Sequence, residues 1–85
     1  MPDIILSSAA KKFLKNAEST VYDRIMKKID ELANDPFPRG VERVVGRPEK
    51  TFRIRAGDYR VLYSVFFEKS ELLINNIDKR GRAYE

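Results

Sequence analysis

At 85 residues the chain has room for one domain with a single core, and its high charged share beside an ordinary apolar share fits a globular protein. Its net charge is +4, and nine of its seventeen basic residues are arginine, the side chain suited to bidentate phosphate recognition. Cysteine and histidine are both absent, which excludes disulfides, zinc–thiolate sites and imidazole acid–base chemistry.

Any catalysis must therefore run on Arg, Lys, Tyr, Asp or Glu, and neither a metal nor a cofactor is expected. Met1-Pro2-Asp3 leads into only a short apolar run, without a basic leader or a long hydrophobic region. No stretch approaches the roughly twenty apolar residues of a membrane span. A cytoplasmic protein without a membrane partner is the expectation.

In chain order, Ile4-Ile5-Leu6 reads as a short strand. Ser7 or Ser8 then caps a helix from about Ala9 to Ala17, with Ala10, Phe13 and Leu14 on its apolar side. A second helix follows, capped by Ser19 or Thr20, with Asp23 in its first turn. Its stripe of Val21, Ile25, Ile29 and Leu32 recurs at four- and three-residue spacing. Asn34-Asp35-Pro36-Phe37-Pro38 ends it, because proline cannot continue a helix.

Val41, Val44 and Val45 suggest a ragged strand before a turn at Gly46-Arg47-Pro48. The clearest β signal is Phe52 to Tyr63, two alternating runs joined across Gly57-Asp58, a good two-residue hairpin pair. Val65-Phe66-Phe67, a loop over Glu68 to Ser70 or Glu71, and a last strand from Leu72 to Asp78 complete the order. The loop length leaves the last strand's register open, since a one-residue change flips every later side chain.

Runs of like elements imply an α+β fold in one domain, residues 1–85: an N-terminal strand, an antiparallel helical hairpin, then a three- to four-stranded antiparallel sheet. Both helices should lie on one face of that sheet, leaving its other face bare.

The hairpin carries an electrostatic oddity. With Gly57-Asp58 as the loop, Ala56 faces Tyr59, Arg55 faces Arg60, Ile54 faces Val61 and Arg53 faces Leu62. Phe52, Ile54, Val61 and Tyr63 then share the core face, while Arg53, Arg55 and Arg60 share the other. Like charges directly opposite destabilise a sheet, so an Arg55–Arg60 pair points to an anion site. Lys79, Arg80 and Arg82 follow the last strand and should enter this site from its edge, bringing Tyr84 with them. Cations with an aromatic ring suit single-stranded nucleic acid: the cations hold phosphates and the ring stacks a base.

The pattern Phe52-Arg53-Ile54-Arg55, then Gly57-Asp58-Tyr59-Arg60-Val61-Leu62-Tyr63, then Lys79-Arg80-Gly81-Arg82-Ala83-Tyr84 resembles the RelE/ParE superfamily of toxins, most closely archaeal RelE proteins. The resemblance spans essentially the whole chain and implies a microbial-RNase-like fold. It implies a type II toxin that cleaves mRNA in the ribosomal A site, inhibits translation and is held by a cognate RelB-like antitoxin in a hetero-oligomer. By position it implies that Arg53 and Arg55 hold the mRNA backbone and that Arg60 binds the phosphate or transition state. It also implies that Arg80 lies near the leaving group and that Tyr84 stacks on a base or takes a proton. Bacterial members carry Lys where this chain has Arg53 and Arg55; Arg stays charged, so a proton carrier would have to be Lys79 or Tyr84.

Attack of a ribose 2′-hydroxyl on phosphate needs a base, stabilisation of added negative charge, and an acid for the leaving oxygen. Arginines supply the second need, and nearby cations favour the phenolate of Tyr84. An acidic, amphipathic antitoxin that folds on binding suits a basic open face. Two other readings share the fold: a ParE-like toxin that poisons gyrase, and a non-catalytic RNA-binding module.

Overall fold

The computed structural model describes residues 2–44 and 50–79. The first strand, β1 (Asp3–Leu6), leads into α1 (Ser8–Asn16) and α2 (Ser19–Asn34). Four strands follow: β2 (Glu42–Val44), β3 (Thr51–Ala56), β4 (Tyr59–Phe66) and β5 (Glu71–Lys79). They form a five-stranded sheet in the order β1-β5-β4-β3-β2. The last four are antiparallel neighbours as expected, and β1 adds a fifth strand, parallel to β5. A long connection permits that parallel pairing: both helices and three strands intervene between the two.

The core forms where the helices meet the sheet. Ala10 and Leu14 of α1 and Ile25, Ile29 and Leu32 of α2 pack with Ile54, Val61, Tyr63, Leu72, Ile74 and Ile77. At the helix ends, α1 begins on Ser7, whose Oγ accepts the Ala10 N–H at 3.1 Å. The same hydroxyl donates to the Asn75 carbonyl at 2.6 Å, so one side chain caps a helix and ties it to β5. Substitution Ser7→Ala should cost about 1–2 kcal/mol, a cap plus a part-buried hydrogen bond. A urea unfolding midpoint reads the loss, and an unchanged midpoint would show that water replaces both contacts.

The start of α2 differs from the sequence expectation. Its N-cap is Glu18, with no side-chain capping bond, and no acidic residue lies in its first turn. The Tyr22 N–H bonds to the Glu18 carbonyl at 2.8 Å, so the helix starts early enough to take Ser19 and Thr20 inside. Asp23 accordingly lies beyond the turn where it would meet the helix dipole. At the other end, Asp35 Oδ1 accepts the Phe37 N–H at 3.0 Å and turns the chain at Pro36. Tyr63, fully buried on β4, donates its hydroxyl to the Pro36 carbonyl at 2.5 Å and pins that turn to the sheet.

Between β3 and β4 the register is the one read from the sequence: Phe52 pairs with Tyr63, Arg53 with Leu62, Ile54 with Val61, Arg55 with Arg60 and Ala56 with Tyr59. Gly57 has φ 64°, the positive value the tight loop demands. A Cβ there would come within 2.8 Å of the Arg24 guanidinium, so α2 also closes over the turn.

The loop after β4 is a short 3-10 turn, Phe67–Lys69, closed by Ser70 in the left-handed region. One bulge then decides the faces of β5. Tyr63 pairs with Ile74 but Leu62 pairs with Asn76, which leaves Asn75 as an extra residue. Strict alternation from Leu72 and Ile74 would have sent Asn76 and Asp78 into the core and Ile77 out. The bulge reverses this: Ile77 is buried, and Asn76 and Asp78 share the face of Leu62 and Arg60.

That face is not bare, contrary to the sequence expectation. Thr51 and Ser64 are fully buried on it, and Arg60 is 5 % exposed. Asn75 Nδ2 donates to Ser64 Oγ at 2.8 Å, and Ser64 Oγ shares a hydrogen bond with Thr51 Oγ1 at 3.1 Å. Three strands are thus joined by side chains as well as backbone, which satisfies polar groups that burial would otherwise penalise.

Candidate functional site

The hairpin brings Arg53, Arg55 and Arg60 to one face, with Arg55 and Arg60 directly opposed. Their environments differ: Arg55 is exposed, Arg53 is half-buried and Arg60 is buried. The difference decides their worth, because a charge withdrawn from water acts on a ligand more strongly than one screened by it.

Strand β2 pairs with Thr51–Arg53, so among the described residues the second half of β3 has no strand neighbour on that side. A cleft of about 340 Å3 opens there, lined by Lys28, Arg39, Glu42, Arg53, Arg55 and Arg60. Lys28 reaches it from α2 and Arg39 from the segment before β2. The arginine face is thereby extended into a concavity with cations on several sides. Glu42 stands opposite Arg53, its Oε1 3.5 Å from Arg53 Nε. Its side chain is 65 % exposed, so solvent screens the carboxylate and the cleft remains basic.

Across β4 from Arg55, Arg60 pairs with Asp78 of β5. One row of the sheet thus reads Arg55, Arg60, Asp78. Asn76 Nδ2 donates to both carboxylate oxygens of Asp78, at 3.4 and 3.3 Å. Among the described residues the recorded ion pairs are Arg53–Glu42 and Lys28–Glu31, and neither engages Asp78.

Lys79 does not join this face. It pairs with Tyr59, whose ring packs edge-on against Phe13 of α1 on the helix side, 5.6 Å between centroids. The expectation that Lys79 enters the arginine site is corrected by the bulge, which assigns the even-numbered residues Asn76 and Asp78 to that face. Arg80, Arg82 and Tyr84 lie outside the described residues.

A larger depression of about 590 Å3 lies on the helix side, with Phe13, Val21, Tyr59 and Ile77 among its lining. Lys12 is its one cation among the described residues, so it offers an anion far less than the smaller arginine cleft. No group of three or more acidic residues that could hold a metal occurs among the described residues. Nor is any helix among them long and apolar enough to cross a membrane.

Sequence reasoning missed Lys28, Glu42 and Asp78. Lys28 is one residue from core Ile29 on the α2 flank, but a helical wheel does not say which strand edge it overlooks. For Asp78 a signal was present: the apolar spacing changes from two at Leu72–Ile74 to three at Ile74–Ile77, the mark of an inserted residue.

Comparison with known proteins agrees with this architecture. The chain resembles a candidate toxin, RelE1, of Methanocaldococcus jannaschii, with 29% identity over 77 residues, 87% of this chain and 84% of the relative. It superposes on the toxin chain in the crystal structure of the archaeal RelE–RelB complex from Pyrococcus horikoshii OT3 with a TM-score of 0.82 and 29% identity, covering 95% of this chain and 97% of that one. The isolated Escherichia coli RelE toxin shares the fold, with a TM-score of 0.76 at 24% identity over 96% of this chain and 87% of that one. Residues 4–84 match the family of ParE toxins of type II toxin–antitoxin systems, parDE. The chain belongs to that family and is a RelE-type toxin of a toxin–antitoxin system.

Proposed function

We propose that the protein is a ribosome-dependent mRNA endonuclease that inhibits translation, cutting by attack of a ribose 2′-hydroxyl on the adjacent phosphate. The observation that carries this reading is the Arg55–Arg60 pair on a rigid hairpin, opening into a cleft shared with Arg53, Arg39 and Lys28. Placing two guanidinium groups opposite each other costs stability unless an anion is to lie between them. Arg53 and Arg55 hold the RNA backbone. Arg60, buried and therefore strongest, stabilises the charge that builds on phosphorus.

The C-terminal residues complete the site in this reading: Arg80 near the leaving oxygen, Arg82 on a neighbouring phosphate and Tyr84 stacked on a base. Orientation by the ribosome supplies what a site without histidine lacks in acid–base strength. A cytoplasmic location follows from a ribosomal target. The partner that restrains the protein is a cognate RelB-like antitoxin, acidic and amphipathic, folding over the basic face. The crystal structures of archaeal and bacterial RelE–RelB complexes support that partnership.

The family description carries the name ParE, and a ParE-like gyrase poison is the second reading. Purified protein added to translating ribosomes should yield mRNA truncated at the A-site codon, and supercoiling assays should show no trapped gyrase cleavage complex. Intact mRNA beside poisoned gyrase would reverse the assignment. Intact mRNA bound by the protein, with gyrase unaffected, would leave only an RNA-binding module.

A further inference from the structure

The arginine face supplies positive charge in abundance but, among arginines alone, nothing that accepts a proton. The one carboxylate placed in the Arg55–Arg60 row is Asp78. It arrives there because of the bulge at Asn75, which turns the end of β5 so that Asp78 faces outward beside Arg60 instead of inward. Bulges re-aim side chains in this way, and they recur beside active sites. The carboxylate is also held: Asn76 Nδ2 lies 3.4 and 3.3 Å from its two oxygens. Among the described residues no ion pair uses it. Directly paired residues on neighbouring strands have Cβ atoms roughly 5 Å apart, so a phosphate held by Arg60 lies within a side chain's reach of Asp78.

We propose that Asp78, aimed by the β5 bulge and held by Asn76, is the proton acceptor for the ribose 2′-hydroxyl in the RNA-cleavage reaction. The inference rests on the mRNA-endonuclease reading above. The Asp78 carboxylate takes the 2′-hydroxyl proton, and the freed oxygen forms a bond to the adjacent phosphorus. The bond from phosphorus to the 5′-oxygen breaks, and that oxygen takes a proton from water. The products are a 2′,3′-cyclic phosphate and a 5′-hydroxyl, and Asp78 returns its proton to the hydroxide left in solvent. Among the described residues, Arg60 from β4 and, beyond it, Arg55 from β3 are the charged groups that share its row of the sheet. On its own strand its neighbour on this face is the neutral Asn76, with Lys79 next to it on the other face, and β1 ends opposite Ile74, short of it.

The test is single-turnover cleavage of mRNA on programmed ribosomes at saturating protein, across roughly pH 6 to 8.5, a range in which a carboxylate is fully charged while a phenol or ammonium is mostly protonated. The expected wild-type profile is flat, and Asp78→Asn should lower the rate by about 100-fold at unchanged half-saturating protein concentration. Asp78→Glu should restore part of the loss. A wild-type rate that climbs about tenfold per pH unit assigns the proton to a phenol or amine and overturns the inference. So does Asp78→Asn cleavage within about threefold of wild type, against the 100-fold that loss of a general base predicts. If Asp78→Asn does not fold, the wild-type profile and the Asp78→Glu rate still decide. A wild-type protein that leaves ribosomal mRNA whole removes the endonuclease reading itself, whereas cleavage that ignores Asp78 removes only this assignment.

Discussion

Replacing Arg60 with alanine is expected to lower single-turnover cleavage of ribosome-bound mRNA by about 100- to 1,000-fold, the loss seen when one preorganised donor to a developing anion is removed. The reason lies in burial. At 5 % exposure Arg60 is withdrawn from solvent, and its field on a phosphate is screened less than that of its neighbours. Arg55, its exposed partner across the hairpin, should behave differently. Arg55→Ala is expected to weaken binding uniformly over sequences and to flatten the salt dependence, with the chemical step close to wild type. Arg60→Lys keeps the charge but loses the planar fork, so it should fall between wild type and alanine.

Stability enters this comparison twice, with opposite signs. Truncating a buried side chain costs packing, while removing one of two facing guanidinium groups relieves repulsion. Melting of each variant must therefore be measured beside its rate. A slow Arg60→Ala protein that melts like wild type ties the defect to the reaction. An Arg60→Ala protein that cleaves at the wild-type rate would reduce Arg60 to a structural residue.

How much of this was readable beforehand depended on the length scale of each signal. The β3–β4 register followed from Gly57-Asp58 and strict alternation, both local, and every pair from Phe52–Tyr63 to Ala56–Tyr59 forms as read. The Ser7 cap was equally local, but its second bond, to Asn75, spans 68 residues and leaves no trace in neighbouring sequence. Ser19 and Thr20 carry capping chemistry yet sit inside α2, since the helix starts one residue before propensity alone would begin it. Ile4-Ile5-Leu6 announced a strand without naming its partner, and parallel pairing with β5 is a decision of the whole chain.

For the site, the three hairpin arginines came from period-two alternation, whereas the faces of Asp78 and Lys79, left open by the undetermined register of the last strand, were decided by a single bulge. The cleft itself depends on a negative feature: the pairing of β2 ends at Arg53, and among the described residues no strand continues it along the rest of β3. A three-residue strand with ragged valines gives no sequence signal for where it will stop.

The most damaging single change to the fold is expected at Tyr63. Its side chain is fully buried on β4, its ring lies 5.8 Å from that of Phe52, and its hydroxyl holds the Pro36 carbonyl. Tyr63→Ala should cost about 3–5 kcal/mol, as other buried aromatic truncations do. A chain of this length is stable by roughly 4–13 kcal/mol, so the variant approaches global unfolding. Tyr63→Phe isolates the hydroxyl and should cost about 1–2 kcal/mol, because the carbonyl of Pro36 loses its partner.

The same hydroxyl makes stability fall in alkali. Burial first, and the nearby Asp35 charge second, push the Tyr63 phenol far above its ordinary value. Below about pH 10 both folded and unfolded chains keep the proton, and the stabilisation is fully present. Above that the unfolded chain releases it while the folded one does not, so stability drops by about 1.4 kcal/mol per pH unit. Tyr63→Phe lacks this step. Urea unfolding of both proteins at roughly pH 8 and pH 11 should therefore show the wild-type advantage shrinking toward zero in alkali. Two curves that decline in parallel would show that the phenol ionises as readily in the fold as outside it, and that the Pro36 bond does not hold its proton.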